Sequence, residues 1–165
     1  MTDEARVVTL EAPSNAVRKS IVVEVAQERA FKVFTEEIDS WWPRSHHIGS
    51  SALDKFFLEG REGGRWYGRG VDGEEADAGY VIAWEPPERV LLAWQITAEW
   101  KCDPSFVTEV EVLFVPESPE RTRVELEHRN LDRFGQKEIE MRSAFEGPGG
   151  WTGMLEQFAK EAESG

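Results

Sequence analysis

The chain has 165 residues, 40% of them hydrophobic, with 19 Lys and Arg against 32 Asp and Glu, a formal net charge of −13. That length fits one domain with a sizeable core, and that charge disfavours a phosphate backbone or an anionic membrane surface as partner. A single cysteine, Cys102, excludes an intrachain disulfide and suits a reducing cytoplasm. Met1–Arg6 lacks the basic-then-apolar pattern of a signal peptide, and no apolar run approaches a membrane span. The expected location is therefore cytoplasmic, with neither nucleic acid nor membrane as partner.

Residues 1–16 read as a leader that is either loose or an edge strand. From Val17 to Val25 the sequence alternates, with Ile21, Val23 and Val25 on one face and Arg18, Ser20 and Glu24 on the other, the pattern of a half-buried strand. From Gln27 to Asp39 the apolar residues Ala30, Phe31, Val33, Phe34 and Ile38 recur at helical spacing, predicting two short helices that end before Pro43. His46, His47 and Gly49 fall in a loop. Strands are then expected over 51–59, 65–70, 75–84 and 89–97. Glycines at 60–64, the Asp72-Gly73 pair and Pro86-Pro87 separate them.

The clearest phase belongs to the next two strands, 106–115 and 121–130. In them Phe106, Thr108, Val110, Val112 and Phe114 point one way, as do Thr122, Val124, Leu126, His128 and Asn130 in the partner. Charged residues fill the other face, and Glu109 and Glu111 should lie opposite arginines. The tail, 136–163, is helical with a break at Gly147-Pro148-Gly149-Gly150. Beyond it Trp151, Met154, Leu155 and Phe158 form one stripe. A run of consecutive strands with one apolar face predicts an antiparallel sheet covered by that last helix.

Several segments, in this order, carry a resemblance: Phe34-Thr35-Glu36, Trp41-Trp42-Pro43, Gly63-Gly64-Arg65-Trp66-Tyr67, Trp84-Glu85-Pro86-Pro87-Glu88-Arg89-Val90, Thr108-Glu109-Val110, Val124-Glu125-Leu126-Glu127-His128 and Gly150-Trp151. Together they resemble the SRPBCC, or START-like, superfamily, in the branch named for homology to the C-terminal domain of the activator of the heat-shock-protein ATPase. The resemblance spans about residues 17–160. It implies the α+β helix-grip fold: a curved antiparallel sheet of about six to seven strands wrapped around a long C-terminal helix. The expected organisation is a leader over 1–16 and a single domain over 17–163. Members of the superfamily include lipid and hormone carriers, aromatic polyketide cyclases and co-chaperone domains. They share a cavity and no universal catalytic residue.

The function expected first is binding of a small apolar or aromatic molecule in a cavity between sheet and helix. Its walls would be Trp66 and Trp94; Thr108, Val110 and Val112; Val124, Leu126 and His128; and the helix stripe Trp151, Met154, Leu155 and Phe158. His128, inward among apolar neighbours, would either be satisfied within the core, anchor a ligand or serve as acid/base, with Thr108 and Asn130 as further inward polar groups. The break at 147–150 could let the front of the helix move as a gate. His46 and His47 could line the cavity mouth. Their spacing matches no metal motif, and no metal or cofactor is expected. An enzyme of the cyclase or hydrolase kind using His128 is the second expectation, and a co-chaperone-like interaction module the third. A homodimer is compatible with the sequence but not indicated by it.

Overall fold

The computed structural model describes residues 6–46 and 48–164; His47 and residues 1–5 lie outside them, and with them half of the paired-histidine reading. In chain order the elements are β1 (Val8–Thr9), β2 (Val17–Val23), α1 (Gln27–Phe34), a 3-10 turn (Ile38–Ser40), β3 (Leu53–Leu58), β4 (Arg65–Gly70), β5 (Glu75–Glu85) and β6 (Arg89–Trp94). Then come β7 (Thr108–Ser118), β8 (Arg121–Arg129), a 3-10 segment (Leu131–Lys137), α2 (Glu138–Glu146) and α3 (Trp151–Ser164). The strands form one antiparallel sheet in the order β1-β2-β8-β7-β6-β5-β4-β3. This is the helix-grip fold, with eight strands among the described residues rather than six or seven. The extra strand is β1, from the leader, paired with β2 at the sheet edge.

The β7–β8 register sets Val110 opposite His128, Val112 opposite Leu126 and Phe114 opposite Val124. Those pairs all face inward, which is why the alternation in the sequence is so clean. Irregular register between β3 and β4, β4 and β5, β5 and β6, and β7 and β8 accompanies the curvature. On the outer face Arg129 reaches Glu109 at 3.0 Å and Glu111 at 3.3 Å, while Arg89 reaches Glu111 at 2.7 Å. Such half-exposed pairs contribute about 0.2–1 kcal/mol each.

Some boundaries depart from expectation for local reasons. β7 begins at Thr108, not Phe106, because Asp103 caps a turn: its carboxylate accepts from the Ser105 N–H, and its carbonyl from the Phe106 N–H. Phe106 packs instead on Phe134. Asn130 does not share the inward phase of β8. Its φ of +66° ends the strand, a conformation asparagine tolerates better than most side chains, and its buried Oδ1 lacks a hydrogen-bond donor among the described residues. β6 stops at Trp94 and is followed by a bridge between Ile96 and Cys102. Pro116 lies inside β7, at a bulge opposite Thr122.

The helical tail is two helices set at a corner, since Gly147 is extended at φ −79°, ψ 179°. In α2 only Met141 and Phe145 are buried, and Ile139 is 82% exposed. The α3 stripe Trp151, Met154, Leu155 and Phe158 is buried as the helical period requires. Phe158 sits edge-on to Phe34 at 5.2 Å, and Phe34 to Phe114 at 5.7 Å, so α1, α3 and β7 share one aromatic core.

Candidate functional site

His128 lies near the C-terminal end of β8, flanked in the sheet by Val17 and Val110, and is fully buried. The Trp151 indole N–H donates to its Nδ1 at 3.1 Å. An indole only donates, so Nδ1 is the acceptor and the ring hydrogen sits on Nε2. Nε2–H then donates to Thr108 Oγ1 at 2.8 Å. Phe145 and Trp94 flank the ring, with centroids 4.3 and 5.0 Å away. Burial pushes the imidazole pKa down to about 3, so it is neutral at pH 7. Fully buried and with both nitrogens engaged, His128 in this arrangement is a satisfied core histidine.

Above this layer opens a cleft of about 560 Å³. Three segments wall it. The loop after the 3-10 turn brings Trp42, His46 and Ile48. The segment after β6 brings Trp94, Ile96 and Trp100. The α2–α3 corner brings Phe145, Trp151 and Met154. The aromatic floor is held from behind. Trp94 donates its N–H to the Ile96 carbonyl, Trp151 to His128, and Trp42 to the His46 carbonyl. These indoles therefore offer the cleft ring surface with their polar edges already satisfied. Trp42 is also stacked on Phe56 at 4.2 Å.

One hydrogen bond crosses the wall. His46 Nε2 lies 2.6 Å from the Gly149 carbonyl oxygen, and Nδ1 lies 3.1 Å from Ser45 Oγ. Since a carbonyl only accepts, Nε2 carries the hydrogen and Nδ1 faces the Ser45 hydroxyl as acceptor. The bond ties the loop to the corner. On its far side lies a more open polar groove of about 590 Å³ that includes Asp39, Arg44, Glu156 and Gln157.

Of the residues expected on the cavity wall, Trp94, Trp151 and Met154 line the cleft. Thr108 and His128 lie beneath its floor. Val110, Val112, Val124, Leu126, Leu155 and Phe158 belong to the close-packed core. Trp66 is buried too; its N–H donates to the Ala93 carbonyl at 2.9 Å across Gly79, where any Cβ would overlap that oxygen. Alternation identified the inward face, but inward here means core filler. Sequence reasoning missed Trp42, Trp100 and Phe145 as cleft residues. The signal available for Trp42 and Phe145 was their place beside the Pro43 and Gly147–Gly150 breaks; Trp100 carried none. Cys102 is half-buried, and burial, aided by Asp77 and Asp103, pushes its thiol up, away from the nucleophilic form. Among the described residues no group of three or more His, Cys, Asp or Glu is arranged to hold a metal ion.

A family model described as Activator of Hsp90 ATPase homolog 1-like protein matches residues 24–163. The anthrahydroquino-gamma-pyrone synthase Txn09 is 37% identical, with 90% of this chain and 99% of that chain covered at a TM-score of 0.64. The self-sacrificing resistance protein CalC from Micromonospora echinospora is 29% identical, with 92% and 96% covered at a TM-score of 0.68. Protein NE0264 from Nitrosomonas europaea, 15% identical over 94% and 99% at a TM-score of 0.66, shares the fold. No functionally curated protein matches the chain. Among the described residues no helix is long and apolar enough to cross a membrane. The sheet, the helical cover and the match over residues 24–163 agree: the chain belongs to the Activator of Hsp90 ATPase homolog 1-like family, within the SRPBCC superfamily of helix-grip proteins.

Proposed function

We propose that the protein binds a small apolar, preferably aromatic, molecule in the cleft between the α2–α3 corner and the loops at 42–48 and 94–100. The observation that carries this reading is the cleft itself, about 560 Å³ with walls of Trp, Phe, Ile and Met side chains. That size falls within the range of about 300–1,000 Å³ common for small-molecule sites. Its floor is preorganised, so little ordering cost remains to oppose binding. The 37% identical synthase, whose name specifies a fused-ring aromatic, favours the same ligand class. The reading places the protein in the cytoplasm, where its lone thiol stays reduced.

A neutral tricyclic probe, 1,8-dihydroxyanthraquinone, tests it by tryptophan-fluorescence titration. Saturable quenching is expected. Ala144 is exposed on the cleft wall, so Ala144→Phe should fill the cleft without touching the core and weaken binding about tenfold or more. Quenching that fails to saturate, or that Ala144→Phe leaves unchanged, removes the cleft as the site.

A second reading, conversion of the bound molecule, is favoured by the synthase relative and by His46, an imidazole on the cleft wall. Under it His46, rather than the buried His128, is the histidine that touches substrate. His46→Gln would then abolish turnover of a bound polyketide-type substrate while leaving its binding intact; retained turnover rejects that assignment. A co-chaperone-like surface gains no comparable support, because the outer face of β6, β7 and β8 is a lattice of ion pairs.

A further inference from the structure

We infer that Trp100 is an aromatic lid that selects flat, fused-ring ligands by covering the outward face of a ring system lying on the cleft floor. The inference rests on the cleft being the binding site and narrows what it accepts. Trp100 sits at the tip of the turn that follows β6. There the Thr97 N–H donates to the Lys101 carbonyl, the Trp100 N–H donates to the Thr97 carbonyl, and Ile96 bridges Cys102. Tight turns of this kind place a residue at positive φ just before the chain returns, and glycine or asparagine is the usual occupant. Here the occupant is tryptophan, at φ +61°. A bulky side chain is rare in that conformation and is held there at a cost.

That cost is not recovered by burial. Trp100 remains 49% exposed, while Trp41, Trp42, Trp66, Trp94 and Trp151 are all buried. Its ring contact is a loose edge-on approach to Phe145, with centroids 6.3 Å apart. A local rule broken without a packing gain points to a role outside the fold. The position supplies one, since Trp100 is the exposed indole of a cleft whose other rings, among them Phe145, Trp94 and Trp151, are buried. A planar molecule inserted between them meets aromatic rings on both faces. A globular one meets the floor and forces the lid outward. The turn is short and exposed, so the indole can swing without disturbing the sheet.

The test uses Trp100→Gly and Trp100→Phe in the full chain, with 1,8-dihydroxyanthraquinone as flat probe and 1-adamantanol as compact probe, both read by calorimetry. Trp100→Gly should weaken the flat probe about 5- to 20-fold, and Trp100→Phe should restore it to within about threefold of the parent. The compact probe should change by less than about twofold. Glycine suits the positive φ, so the melting temperature of Trp100→Gly should be unchanged or raised by about 2–4 °C. Equal losses for both probes reject selection by shape. Flat-probe affinity unchanged in Trp100→Gly, with Ala144→Phe still blocking, overturns the lid and leaves the cleft reading intact. A clear fall in melting temperature makes Trp100 a structural wedge and also overturns it. Failure of the parent protein to bind the flat probe takes down both readings together.

Discussion

Replacing His128 by leucine should destabilise the protein by about 2–5 kcal/mol. Leucine fills most of the space, so the cost arises from the partners. The Trp151 N–H loses its acceptor and the Thr108 hydroxyl its donor, in a layer sealed by Trp94 and Phe145. Glutamine can accept at one side-chain atom and donate at the other, and should recover a substantial part of the loss. Equilibrium denaturation at pH 7 reads both. Leucine within about 0.5 kcal/mol of the parent would mean that the histidine bonds contribute little.

The same residue predicts an acid dependence. The unfolded chain takes up a proton at His128 near 6.5, whereas the folded protein resists it until about 3. Between those values the unfolded state binds more protons, so stability rises with pH across the window. The His128 contribution is fully present above 6.5 and is withdrawn as the pH falls toward 3. A shift of that size corresponds to at most about 5 kcal/mol. His128→Gln should lose less stability than the parent between pH 6.5 and pH 4, with the two curves converging or crossing. Parallel curves would show that His128 is not what the acid acts on.

The architecture was readable where a repeating physical signal exists. Val110, Val112, Val124 and Leu126 alternate because the strands carrying them are dry on one side and charged on the other, and that alternation also pointed His128 inward. Alternation reports which side a residue faces, not what meets it there. Phe34 from α1 and Phe158 from α3 arrive at that side from distant parts of the chain and fill it. The partners of His128 are 20 and 23 residues away in sequence, on different elements, so no local pattern announces the bonds that satisfy it. The cleft is harder still to foresee. Its walls come from loops and a helix corner, which lack a period, and the positive φ of Trp100 leaves no mark in a sequence that shows tryptophan where glycine is usual. What did show was the interruption at Gly147–Gly150, read as a hinge for a gate.

The packing of that interruption predicts that Gly153→Ala damages both stability and binding. In an ordinary helix interior the change would stabilise by about 1 kcal/mol. At Gly153, in the first turns of α3, a Cβ would overlap the Pro148 carbonyl oxygen, and at Gly150 one would overlap the carbonyls of Ala144 and Phe145. The corner is therefore backbone laid directly on backbone, closed further by the Thr152 hydroxyl donating to the Glu146 carbonyl at 2.9 Å. Alanine at 153 must push the Pro148 peptide away and with it Gly149, whose carbonyl accepts from His46. The wall of the cleft then parts. A net loss of about 1–3 kcal/mol is expected, together with a fall of about tenfold in affinity for 1,8-dihydroxyanthraquinone as the floor loses its register with the loop. Gly149→Ala is the control, because a Cβ there meets nothing within 4 Å and φ is not positive. It should stay within about 0.5 kcal/mol of the parent and bind normally. If Gly153→Ala instead matches the parent in both measurements, the corner yields freely, and the hinge expected from its glycines is the better description of it.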